Sequence, residues 1–114
     1  MIRLGVLGST NGTDLQAILD AITSGELNAD VSVVISNQKN AFILERAENH
    51  NAPAVFVSHK KKAREEFNAE VTAILKEYNV DLVLLIGFMR ILSAEFCQEW
   101  RDKLLNVHPS LLPK

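Results

Sequence analysis

Apolar residues along the chain fall into two rhythms. Short unbroken runs rich in branched residues lie at Arg3 to Leu7, Val31 to Ile35, Ala54 to Val57 (just after Pro53), Asp81 to Ile86 and Leu104 to Val107. Runs of that length and type predict strands. Between them the spacing changes to three or four residues, which predicts helices. Thr13 to Thr23 carries Leu15, Ile18, Leu19 and Ile22 at that spacing, with Thr13 as the predicted N-cap and Gly25 as the predicted stop. Ala41 to Asn49 is a second helix. Lys62 to Tyr78 is a long amphipathic third, with Phe67, Val71, Ile74 and Leu75 inward, and Ser93 to Arg101 a short fourth.

Strand and helix alternate throughout, and the strands are apolar rather than alternating. That combination marks a sheet covered on both faces. The expected fold is therefore α/β: a doubly wound, mainly parallel, Rossmann-like sheet in one domain, residues 1–114. Ligands of such sheets sit beyond the carboxyl ends of the strands. Those ends fall at Gly8 to Thr13, Ser36 to Asn40, Ser58 to Arg64, Gly87 to Leu92 and Asn106 to Pro109.

Composition narrows the chemistry. The chain has 114 residues, a net charge of -2 and a single cysteine, Cys97. The charge supplies no field for nucleic acid or an anionic membrane. No apolar run approaches the length that spans a bilayer, and the opening residues lack the apolar core of a signal peptide. One cysteine excludes an intrachain disulfide and fits a reducing cytoplasm. One Cys and three scattered His give no zinc spacing, so no metal is expected.

The loop Gly8-Ser9-Thr10-Asn11-Gly12-Thr13-Asp14 joins a strand to a helix start, where amide N–H groups and the helix dipole favour a phosphate. It matches neither the dinucleotide fingerprint nor the P-loop, since the glycine spacing differs, the second strand ends in Ser36-Asn37 rather than an acid, and Gly12-Thr13 is followed by Asp14 with no lysine. A small phosphorylated ligand fits; so does a plain capped turn with Gly12 at positive φ. The basic run His59 to Arg64 reads as a solvated helix start or as attraction for an acidic ligand tail. His50 reads as a helix end, and Cys97 and Trp100 as packing residues. Asn106 and His108 share a face of the last strand by period-two alternation. An amide donor beside an imidazole can stabilise an oxyanion and pass a proton; a satisfied histidine at a strand end has the same spacing.

The stretches "GTDLQAI", "VVISN", "DLVLLIGFMRILS" and "LLNVHPSLLPK" together resemble the N-terminal half of phosphoribosylglycinamide formyltransferase (glycinamide ribonucleotide transformylase). "HPSLLPK" alone is shared with methionyl-tRNA formyltransferase and formyltetrahydrofolate deformylase; the first loop and "GFMRILS" separate this chain from them. The resemblance implies formyl transfer from 10-formyltetrahydrofolate, as co-substrate, to the amine of glycinamide ribonucleotide in purine biosynthesis, without metal. It implies that Gly12, Thr13 and Asp14 hold the ribonucleotide phosphate. Arg64 then lies near the folate tail, and Met89, Arg90, Ile91 and Leu92 line the folate site. Asn106 contacts the formyl oxygen, and His108 donates a proton.

Two departures from the family pattern matter. Asp14 stands where the family usually has Asn, and a carboxylate beside a phosphate repels it by about 1 kcal/mol or more unless it points away. The family's acid that pairs with the histidine belongs to a later, folate-completing portion, beyond Lys114. Asp102 lies at the wrong end of the last strand to replace it. The expectation is an incomplete enzyme, with little turnover from these 114 residues alone. Self-association through the apolar surface at Leu111 and Leu112 is a further expectation. The alternative is a short non-catalytic module that binds a phosphorylated ligand.

Overall fold

A computed structural model of the chain describes residues 1–9, 11–58, 60, 63–88 and 92–107. Among the described residues five strands alternate with four helices: β1 (Ile2–Gly8), α1 (Thr13–Ser24), β2 (Ala29–Ser36), α2 (Phe42–Asn49), β3 (Ala54–Phe56), α3 (Arg64–Glu77), β4 (Leu82–Ile86), α4 (Ala94–Glu99) and β5 (Leu104–Val107). All pairings are parallel, in the order β3-β2-β1-β4-β5. The chain winds outward from β1 through β2 to β3, then returns to the other side of β1 for β4 and β5. The doubly wound α/β expectation is met.

The central strands β1, β2 and β4 bury residues on both of their sides, which is why their runs read as continuously apolar, while the edge strands β3 and β5 stay partly exposed. On one face Leu4, Val6, Val34, Leu84 and Ile86 meet Leu15 and Leu19 of α1 and Ile43 and Ala47 of α2. On the other, Leu7, Val33, Ile35 and Val83 meet Phe67, Val71 and Leu75 of α3, Phe96 of α4 and Trp100 at its C-cap. Val31 and Val34, three residues apart, share a face because the β1–β2 register shifts between Leu4 and Gly5. The extra residue in β2 absorbs the odd step in the alternation.

Several local expectations shift. Thr13 is the first residue of α1 rather than its cap; Gly12 occupies the cap position in a left-handed conformation (φ 72°). Gly25 ends the helix as expected, at φ 87°. His50 caps the C-terminus of α2, as expected of a helix end. α3 is capped by Ala63, so its first turn starts at Arg64. Trp100 is buried, but Cys97 is exposed: its side of the short α4 faces away from the core. Leu111 and Leu112 lie outside the described residues.

Phe67 is among the largest fully buried side chains, and its ring stacks on Phe88. Phe67→Ala is expected to cost about 3–5 kcal/mol in urea denaturation. Phe56→Ala, at a ring 41% exposed on edge strand β3, should stay within about 0.5 kcal/mol.

Candidate functional site at the carboxyl edge of the sheet

In a parallel sheet every strand delivers its carboxyl end to the same edge, and the winding direction reverses here between β1 and β4. The register places Gly8, Ile86 and Val107 level across β1, β4 and β5. The first loop, the segment after Ile86 and Asn106 therefore leave the sheet within about one residue of the same height. Two strand spacings, about 10 Å, separate the first from the last.

Ser9 ties the strand ends together. Its N–H donates to the Gly87 carbonyl at 3.3 Å, across to the β4 end. Its hydroxyl donates to Asn37 Oδ1 at 2.6 Å, across to the β2 end, and both residues are buried. The chain then turns through Gly12, whose positive φ disfavours any side chain. A Cβ there would also come within 2.5 Å of Ile43 Cγ1 on α2, so glycine is required twice over.

The first intrahelical bond of α1 runs from Gln16 N–H to the Gly12 carbonyl at 3.0 Å. The amides of Thr13, Asp14 and Leu15 precede it and so have no acceptor within the helix. Gly12 has no side chain to cap them. Three donors at the positive end of a twelve-residue helix suit an anion. Asp14, half-buried in the first turn, is itself favoured there by the helix dipole.

On the other side of the switch, Gly87 leaves β4 at φ 60°, and Phe88 and Leu92 pack against the core of the second face. Leu92 is the one member of the expected folate-lining segment among the described residues; Met89, Arg90 and Ile91 lie outside them, as does His108. Arg64 begins α3 with its side chain exposed. Asn106 is exposed near the end of β5, beside Leu85 of β4. Asp102 precedes β5 at the opposite edge of the sheet, as expected.

Asn68, 2% exposed, links two of these pieces. Its Nδ2 donates to the Arg64 carbonyl at 2.7 Å, and its Oδ1 accepts from Ser93 N–H at 3.2 Å. Ser93 in turn caps α4, its hydroxyl accepting from Phe96 N–H. Asn68 thus holds the start of α3 against the end of the 87–92 segment. The sequence contained a signal for it that the pattern reading passed over: an amide on the apolar face of α3, in line with Val71 and Leu75.

Two cavities lie nearby. One of about 390 Å³ between α3 and α4 carries Glu65, Glu95 and Glu99, a lining that repels anions. A larger one of about 760 Å³ lies beyond β1, β2 and β3, beside Ser9, Asn37 and Lys39. Among the described residues no three His, Cys, Asp or Glu side chains are grouped to hold a metal ion, and no helix is long and apolar enough to cross a membrane.

The family model described as formyl transferase matches residues 2–114. The chain belongs to the formyl transferase family. It is 49% identical over 115 residues to the trifunctional purine biosynthetic protein adenosine-3 of Drosophila melanogaster, covering 98% of this chain and 8% of that protein. It is 43% identical over 114 residues to phosphoribosylglycinamide formyltransferase of Escherichia coli, covering 99% of this chain and 54% of that protein. Among solved structures, glycinamide ribonucleotide transformylase 1 from Symbiobacterium toebii superposes with a TM-score of 0.92 at 42% identity, covering 99% of this chain and 54% of that one. The formyl transferase family and fold expected from the motifs both stand. The chain spans about half the length of the bacterial relatives and a small fraction of the trifunctional ones.

Replacing Asn68 by Ala strands a buried amide and a carbonyl, and should cost about 1–3 kcal/mol in urea denaturation. Asn68→Asp keeps the acceptor for Ser93 but sets a buried carboxylate against the Arg64 carbonyl, so at neutral pH it should cost at least as much as Asn68→Ala. Amide exchange at Ser93 reports the same order.

Proposed function

We propose that residues 1–114 are the N-terminal, nucleotide-binding portion of a phosphoribosylglycinamide formyltransferase. The observation that carries this reading is the placement of a helix-start anion loop and an exposed strand-end amide on one sheet edge, either side of the switch point. It is supported by relatives named for this activity that match the whole chain. No observation favours the alternative of a non-catalytic module.

In this reading the phosphate of glycinamide ribonucleotide sits on the amides of Gly12, Thr13 and Asp14. Backbone N–H groups do the binding, so the carboxylate at Asp14 need not face the phosphate. The co-substrate 10-formyltetrahydrofolate lies against Met89, Arg90, Ile91 and Leu92, with Arg64 near its acidic tail. The substrate amine attacks the formyl carbon, and negative charge collects on the formyl oxygen, to which Asn106 donates a hydrogen bond. As the bond from that carbon to N10 breaks, the attacking nitrogen gives up its extra proton to solvent and His108 supplies the proton that N10 takes up. The products are the formylated amide and tetrahydrofolate, and no residue on this route requires a metal. Asn106 and His108 each act on charge that exists only during transfer, so their contribution falls on kcat. The compartment is the cytoplasm, consistent with one exposed free thiol, Cys97.

The test is a formyl-transfer assay with both substrates. A chimera in which residues 1–114 replace the matching half of the Escherichia coli relative should form formylglycinamide ribonucleotide. In it, Asn106→Ala should lower kcat by about 10²–10³, and His108→Ala by about 10²–10⁴. The 114-residue chain alone should turn over little. A folded but inactive chimera overturns the assignment; full turnover by the chain alone overturns the division between two portions.

A further inference from the structure

We propose that Arg46 on α2 is a positioning residue for the anion loop, acting through the peptide that precedes Gly12 rather than by touching the ligand. The inference rests on the reading that this loop holds the substrate phosphate. Three contacts fix the Arg46 side chain. Its Nε–H donates to the Asn11 carbonyl at 2.6 Å, and a terminal N–H donates to Gln16 Oε1 at 3.1 Å. The guanidinium carbon lies 4.6 Å from the centroid of the Phe42 ring, one helical turn earlier. Arg46 thus grips the loop from both ends, at the residue before Gly12 and at the first residue to close an α1 hydrogen bond.

The grip on Asn11 has a geometric consequence. A trans peptide is planar, with its C=O and N–H pointing in opposite directions, and the described chain has no cis peptide. Holding the Asn11 carbonyl against the guanidinium therefore turns the Gly12 N–H away from Arg46. It also occupies a carbonyl dipole that, turned the other way, would repel an anion. The second support comes from the same helix: Ile43 lies directly under Gly12, so that α2 sets both the height and the tilt of this peptide. A lysine cannot reproduce this, since one ammonium has no planar fork to serve Asn11 and Gln16 at once.

The test is titration of the full 114-residue chain with inorganic phosphate, followed by amide NMR, against chloride at matched ionic strength. In the unaltered chain the Gly12, Thr13 and Asp14 amides should shift saturably. Arg46→Met should weaken phosphate binding about tenfold, with Arg46→Lys intermediate and with amide exchange raised only around residues 11–14. Phe42→Leu keeps the arginine and removes the ring beneath it; it should weaken binding about threefold and serves should Arg46→Met fail to fold. Unchanged phosphate affinity in the folded variants overturns the role of Arg46 and leaves the phosphate reading intact. No response at residues 12–14 of the unaltered chain overturns both.

Discussion

Because all the strands run parallel, every connection between neighbours must climb back over a face of the sheet, and each one here does so through a helix. The faces are then dry, the strands lose their alternation, and every carboxyl end emerges at one edge. That geometric constraint assembles the site before any particular side chain is considered. The carboxyl ends of β1 and β5, separated by most of the chain, come within two strand spacings of each other. The return from β3 to β4 opens the crevice between the β1 and β4 ends, which no connecting helix has to cross. Ser9 is the small residue that keeps this edge in register, reaching to Gly87 on one side and Asn37 on the other.

Most of the architecture was legible in the sequence for the same reason. Burial on two faces writes an unbroken apolar run, burial on one writes a 3.6-residue period, and both survive without knowledge of partners. What hydrophobic pattern does not record is which polar group meets which. Arg46 and Asn11 are separated by 35 positions, Asn68 and Ser93 by 25, and neither pair has a local signature. The misplaced cap at Thr13 has a similar cause. A threonine before an apolar period is a sound cap by propensity, but the tertiary demand for a left-handed residue resting on Ile43 moved the cap to Gly12. Cys97 was read as packing because α4 is short: six residues make fewer than two turns, too few for periodicity to say which side is inward.

The site residues divide along the same line. The loop from Gly8 to Asp14 could be read as a helix start suited to an anion because that is a backbone property, set by where the strand ends and the helix begins; the expectation that Gly12, Thr13 and Asp14 do the holding came from the family resemblance. Asn106 could be placed because strand alternation and register fix it. Residues whose chemistry depends on a neighbour from elsewhere, such as the acid that tunes a histidine, leave no comparable trace in a single stretch.

The proposed anion loop is therefore not a portable motif. Its donors are local, but their direction is not: the Gly12 peptide is held by a helix that follows an entire intervening strand. Grafted onto another strand–helix junction, Gly-Thr-Asp would keep its amides and lose Ile43 and Arg46, and with them the conformation in which those amides converge. A left-handed glycine has broad freedom in the unfolded chain and in an unsupported turn. Binding a small anion then has to order the peptide as well as contact it, which subtracts from affinity. In the folded protein that ordering is done by packing of α2 against β2 and β3, so the affinity proposed for the loop is tied to the stability of the sheet half around it. On the proposed function, a substitution in the α2 core, at Ala47 for example, weakens phosphate binding without any residue near the ligand having changed.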